Sequence, residues 1–314
     1  MSHLDWDQLP GPVRAAITEH TGPIEQVVPA ADGAASDLAV TVHTVTGRVF
    51  VKGVRGDHPA AWMLRNQTRF TRVLPAEVTP PLLWSAEPDG WLLIATDHLD
   101  GRHPSLAPGS PDLPAVADAL TRFAAVLTPA PHQPCRSLAD RWRRLPGWAL
   151  IADDPALTDQ LNPATRSQLA VLVELEAAAP GRLDGDTLAH TDPVLANIML
   201  TRCGPRMLDW SFPALAPAWT DTAFLVPRLL DAGHTPQQAE RWAATIPAYA
   251  AADPDAVSAF AAALAGLWTY RTLTAPNPRQ TQLASIARRW AHHRTTLVTT
   301  WPPTPSPAGS VAAP

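Results

Sequence analysis

The amino-acid sequence predicts an α+β protein of two lobes, a β-rich N-terminal lobe followed by a mainly helical C-terminal lobe. Short β-branched runs broken by turn signals crowd into residues 24–95. Helical periodicity fills residues 112–299, with starts at Thr235-Pro236 and Asp253-Pro254. The two patterns are segregated, so alternating βαβ units are not expected.

The elements follow in order. Val13, Ala16 and Ile17 after Pro10-Gly11-Pro12 predict a short helix over 10–20. Val27-Val28, Leu38 to Val45 and Arg48 to Val54 read as strands of an antiparallel meander, punctuated by Asp32-Gly33 and Thr46-Gly47. A helix is expected over 59–74, with Trp62, Leu64, Phe70, Val73 and Leu74 on its apolar side. Leu82 to Trp84 and Trp91 to Ala95 form two more strands around Pro88-Asp89-Gly90. Helices are predicted over 112–127, 137–148, 156–179, 221–232, 235–251, 254–271 and 279–299. Residues 187–211 interrupt them with short β-type runs around a polar cluster. These boundaries divide the chain into lobes at 1–96 and 103–301, a linker at 97–102 and a disordered Pro/Ser/Ala/Gly-rich tail at 302–314.

Composition excludes several functions. Of 314 residues, 46% are hydrophobic and 17% charged, so a sizeable core is available. A net charge of −5 with no basic stripe argues against nucleic-acid binding and gives slight support to a cationic substrate. The clusters Arg141, Arg143, Arg144 and Arg288, Arg289, Arg294 read as solvated helix faces. Cys135 and Cys203 are too few and too far apart for a disulfide framework or a metal site. No run approaches the roughly 20 apolar residues of a membrane span. The start of the chain lacks a signal-peptide pattern, so a cytoplasmic protein without membrane contact is expected.

The chemistry concentrates in His190-Thr191-Asp192-Pro193-Val194-Leu195-Ala196-Asn197, followed by Met207-Leu208-Asp209-Trp210. Two acids and an amide are interleaved with Leu, Ile and Met, which suits a loop held between strands. Their oxygens suit Mg²⁺, a hard cation that takes few protein ligands. Taken singly, each acid reads equally as a surface group or a loop cap. The joint spacing His-x-Asp-x-x-x-x-Asn…Asp resembles the catalytic loop and metal aspartate of kinases. With Asp-Trp at the second site, the chain resembles the aminoglycoside phosphotransferase family, whose relatives include choline and homoserine kinases. The resemblance runs over roughly residues 25 to 295.

It implies a two-lobed protein kinase-like fold and a phosphotransferase using ATP and Mg²⁺. Asp192 would be the catalytic base, His190 would brace its loop, and Asn197 and Asp209 would hold the metal. Asp221 would be structural, a helix cap and loop anchor. Lys52, at the end of Val49-Phe50-Val51, would meet the nucleotide phosphates. Gln67 stands where the family places a glutamate that holds this lysine. The loop Ala31 to Asp37 has a single glycine, Gly33. With Ser36 it either covers phosphate or is a plain hairpin turn. Ala95 to His98 correspond to the adenine-binding hinge. Trp84, Glu87 and Trp91 lie near the lobe junction as core or adenine platform.

The acceptor stays open. Asp153, Asp154, Asp159, Glu174, Glu176 and Glu240 are candidates to line its pocket or are solvated helix faces. Trp148, Trp219, Trp242 and Trp268 are pocket or core. Three readings compete: a kinase for a small-molecule hydroxyl such as an antibiotic, sugar or amino alcohol; a Ser/Thr kinase for a natural-product precursor peptide; and a non-catalytic nucleotide-binding scaffold, suggested by Gln67. A monomer or homodimer fits each.

Overall fold

Five antiparallel strands open the fold: β1 (Ile24–Pro29), β2 (Leu38–Thr44), β3 (Gly47–Arg55), β4 (Leu82–Ala86) and β5 (Trp91–Asp97), in the order β1-β2-β3-β5-β4. This computed structural model describes residues 4–30, 36–131 and 135–299. Strand parity decides which side chain faces what. Val51, Leu93 and Ala95 pack with Val13 and Ile17 of helix α1 (Gly11–Thr21). Val54, Leu92 and Ile94 pack on the other face with Ala61 and Leu64 of helix α2 (Ala61–Thr71). Lys52 has the parity of Val54, so it faces α2. Gly53 allows a close approach here, because a Cβ would lie 2.7 Å from Leu93 Cδ2 and the end of that side chain would have to shift.

Short strands follow: β6 (Gly101–Arg102), β7 (Thr187–Ala189), β8 (Ile198–Thr201), β9 (Gly204–Met207) and β10 (Ala214–Ala216). They form a β6-β8-β9 sheet and a β7-β10 pair. Helices α3 (Leu113–Val126) and α4 (Leu138–Trp142) precede the polar cluster, and Thr220–Asp231, Pro236–Ala243 and Pro247–Ala250 follow it.

Compactness divides the chain into one unit of Met1–Arg141 and Leu183–Ala251 and another of Trp142–Arg182 and Ala252–Pro314. This partition differs from the lobes expected at 1–96 and 103–301. The expected linker at 97–102 is also largely structured: Asp97 ends β5, and Gly101 and Arg102 pair with Thr201 and Leu200.

In the second unit, the ring centroids of Trp142 and Trp290 lie 4.8 and 6.1 Å from that of Phe260. Gly147 and Gly266 let two helices touch backbone to backbone. Buried Glu176 accepts backbone N–H bonds from Trp148 at 2.8 Å and Ala149 at 3.0 Å, at the start of the helix Gly147–Ala152. Burial pushes its carboxyl up to about 7 against the pull of those N–H groups.

Several expectations need correction. The helices predicted over 137–148, 156–179 and 235–251 each break at an internal proline. New helices start next to Pro146, at Pro163 and at Pro247, where the missing N–H costs nothing. Trp62 is 51% exposed, not on the packed side of its helix. Arg141, Arg288 and Arg294 are not solvated: Arg288 donates to Thr269 Oγ1, and buried Arg294 donates to Ser258 Oγ and the Pro254 carbonyl. Glu176 is spent on backbone N–H groups and cannot line an acceptor pocket, and Trp148 is core.

Candidate active site

Lys52 Nζ lies 3.0 Å from Asp209 Oδ2 and 3.3 Å from Gln67 Oε1. Strand parity on β3 aims the lysine at α2, and Gln67 sits on the buried side of that helix. Asp209 arrives from the turn after β9 in a left-handed backbone conformation, φ 59°. The conformation is uncommon for a non-glycine residue and is held here by the contacts around it. Its Oδ1 accepts a short hydrogen bond from Ser211 Oγ. Burial pushes the Asp209 carboxyl up, but Lys52, Ser211 and His190 together outweigh it and hold the carboxyl below its ordinary value.

His190 ties the two acidic segments together. Its Nε2 lies 2.8 Å from the Leu208 carbonyl and its Nδ1 is 3.3 Å from Asp192 N. Nε2 thus faces a carbonyl acceptor and Nδ1 a backbone donor. The ring also meets Trp210 edge-on at 4.8 Å. Asp221 completes the brace: Oδ2 accepts from His190 N and Oδ1 from Thr191 N, both at 2.8 Å. Burial raises the Asp221 carboxyl, only partly offset by His190 and those two N–H groups.

Asn197 Nδ2 donates to the Asp192 carbonyl at 3.0 Å, which leaves Asn197 Oδ1 as the remaining acceptor of that side chain. The Leu208 N–H donates to the Asn197 carbonyl at 2.7 Å, joining the same segments a second time. Asp192 itself is half-buried, and its carboxylate has no protein partner among the described residues. A metal fits this donor set. Asp209 and Asn197 Oδ1 are hard oxygens, and Mg²⁺ needs only one or two protein ligands when phosphates supply others. No group of three or more His, Cys, Asp or Glu side chains able to hold a metal exists among the described residues.

Lys52 and Asp209 form an ion pair, and His190 ties the segment that carries Asp209 to the one that carries Asp192. The sequence decides the matter: residues 26–260 match the family model described as the phosphotransferase enzyme family, APH. The chain belongs to this family. It is a phosphotransferase, an enzyme that moves phosphate to an alcohol group.

Solved structures carry the same kinase-like fold. The GDP complex of a mutant aminoglycoside 2'-phosphotransferase-IIIa is 15% identical over 92% of this chain and 99% of that one, with a TM-score of 0.65. Choline kinase LicA from Streptococcus pneumoniae is 11% identical over 92% and 98%, with a TM-score of 0.60. Amicoumacin kinase hAmiN, in complex with AMP-PNP, Ca²⁺ and Ami, is 12% identical over 90% and 92%, with a TM-score of 0.58. Comparison with the sequences of curated proteins gives no match. No helix among the described residues is long and apolar enough to cross a membrane.

In this phosphotransferase the structure gathers Lys52, Gln67, Asp209, His190, Asp192, Asn197 and Asp221 into one connected set. Other expected residues lie elsewhere. Gly33 lies outside the described residues, whereas Ser36 is described, half-buried just before β2. Ala95 is fully buried inside β5 with paired strands on both sides, so it is not at a free hinge. His98 packs its Nδ1 3.3 Å from Thr41 Oγ1, and burial with nearby Arg48 lowers its pKa. Of the acids proposed for the acceptor, Glu240 is engaged by Tyr249 Oη at 3.1 Å.

Three site residues were missed by pattern reading: Asn66, which donates to the Ser211 carbonyl at 3.0 Å; Ser211; and Arg141. One signal was in plain view. Lys52 is the only lysine in a chain otherwise rich in arginine, so this position resists the Arg-for-Lys bias seen everywhere else.

Proposed function

We propose that this phosphotransferase moves the γ-phosphoryl group of ATP, bound with Mg²⁺, to a hydroxyl of a small molecule in the cytoplasm. One observation carries the reading: the sole lysine, on the N-terminal sheet, is 3.0 Å from the aspartate that follows the His190–Asn197 loop. The solved relatives lend it support, since the complexes named for them contain GDP or AMP-PNP and their names refer to aminoglycosides, choline and amicoumacin.

In this reading Asp209 and Asn197 Oδ1 would hold Mg²⁺, which would supply positive charge beside the phosphates. Lys52 exchanges Asp209 for phosphate oxygens, steadied by Gln67. The free carboxylate of Asp192 orients the acceptor hydroxyl and takes its proton. His190, bonded to both segments, fixes the spacing between Asp192 and Asp209. Catalysis is then positioning and preorganised charge, with no covalent step by the protein.

The test pairs binding with turnover. MgATP should raise the melting temperature of the wild-type protein. ADP release should then depend on one class within a panel of amino alcohols, sugars, aminoglycosides and Ser- or Thr-containing peptides. Asp192→Ala should keep the thermal shift and lose turnover by about a hundredfold or more. Wild-type turnover in that variant would remove Asp192 from the mechanism, and a peptide as the sole acceptor would overturn the small-molecule assignment.

A further inference from the structure

The loop that carries Asp192 contains a strained residue that none of the roles above explains. Thr191 is buried, β-branched and left-handed, with φ 62°. For such a residue this conformation is an outlier and persists only where its surroundings over-determine it. Asp221 holds its N–H, and its hydroxyl donates to the Phe212 carbonyl at 2.6 Å. The same hydroxyl accepts from Arg141 Nη1 at 2.9 Å. Arg141 Nη2 then donates to the carbonyls of Phe212 and Pro213, each at 3.0 Å.

We propose that Arg141 is a positioning residue for phosphoryl transfer: its guanidinium clamps the residue before Asp192 to the segment just after Asp209. The two carboxylates are thereby held at one separation by a second tie, independent of the one His190 makes. A planar donor fork suits this work, since it reaches three oxygens on two segments at once. All three acceptors are neutral, so the guanidinium serves the loop's geometry and not an ion pair.

The clamp is separable from its own helix. α4 is fixed independently, because Ser137 bridges Leu215 and the Leu215 N–H donates to the Arg136 carbonyl at 3.1 Å. Removing the guanidinium therefore frees the loop without removing its anchor point. The inference rests on the phosphotransfer roles given to Asp192 and Asp209.

The test uses MgATP with water as acceptor, read as ADP release, in Arg141→Ala, Arg141→Lys, Thr191→Ser and Thr191→Gly. Arg141→Ala should lower kcat by about tenfold or more while KM for ATP stays within about twofold, because the nucleotide contacts are untouched. Added guanidinium ion should restore part of the rate, and ammonium ion should not. Arg141→Lys should stay impaired, since one ammonium cannot span three oxygens. Thr191→Ser keeps the hydroxyl and should lose less rate than Thr191→Gly. Thr191→Gly relieves the backbone and should melt no lower, yet lose rate.

An unchanged kcat in Arg141→Ala overturns the proposal. So does a loss of kcat that guanidinium does not rescue and that accompanies an equal rise in KM. Hydrogen exchange of the 187–197 peptide needs no turnover and separates the two levels of failure. Wild-type exchange in Arg141→Ala overturns the clamp. Exchange faster by about fivefold or more, in an enzyme whose wild type never releases ADP, supports the clamp and overturns the functional reading instead.

Discussion

Breaking the pair between Lys52 and Asp209 should have a cost that can be worked out from its geometry. At 3.0 Å, the gross attraction is about 5.5 kcal/mol in a medium of effective dielectric near 20. The side chains are 18% and 30% exposed, so solvent screening and desolvation remove most of it. A coupling of about 1–2 kcal/mol should remain. The measurement is a double-mutant cycle of Lys52→Met and Asp209→Asn by urea unfolding at pH 7. The sign with pH is fixed as well. Asp209 is held below its ordinary value in the folded protein. Its contribution is therefore complete above the ordinary carboxylate pKa of about 4 and is lost as pH falls through the depressed folded value. The coupling must shrink when the cycle is repeated near pH 3. A coupling under about 0.3 kcal/mol at pH 7, or one unchanged in acid, would refute the reasoning.

Two further substitutions probe the neighbourhood of this pair and the buried acid of the other unit. Gln67→Glu would place a second carboxylate on Lys52. Its attraction to the ammonium is opposed by repulsion from Asp209 and by desolvation at a position only 7% exposed. The melting temperature should move by less than about 3 °C in thermal denaturation. Glu176 has a folded-state pKa raised to about 7, so the folded protein holds a proton that the unfolded chain releases at lower pH. The contribution of Glu176 to stability should be largest below about pH 4 and decline as pH rises to about 7, a span worth about 3 kcal/mol. Unfolding curves of Glu176→Gln should lack that slope, and equal slopes in both proteins would contradict the assignment.

Much of the architecture could be read from local chemistry. β-branched runs and turn residues marked the five-stranded sheet, and the spacing from His190 to Asp209 marked the loop that now joins Lys52. The failures also have physical causes. Helical periodicity ran straight through Pro163 and Pro247 because apolar spacing does not register a missing N–H, whereas a proline at a first turn starts a new helix. Arg141 looked like a solvated helix residue because nothing local reveals that its partners come from residues 191 and 212–213. Ala95 looked like a hinge because the end of β5 could not be set to within two residues by pattern. Thr191 gave no signal at all, since a left-handed threonine is imposed by tertiary contacts and opposed by its own propensity.

The lone lysine offers the most direct test of the central claim. An amine-reactive reagent can modify only Lys52 and the chain's amino terminus. If Lys52 faces nucleotide phosphates, saturating MgATP should slow its modification by about tenfold or more, read by mass spectrometry of the peptide carrying it, while the amino terminus reacts as before. Equal rates at Lys52 with and without MgATP, in a protein shown to be folded, would contradict the account.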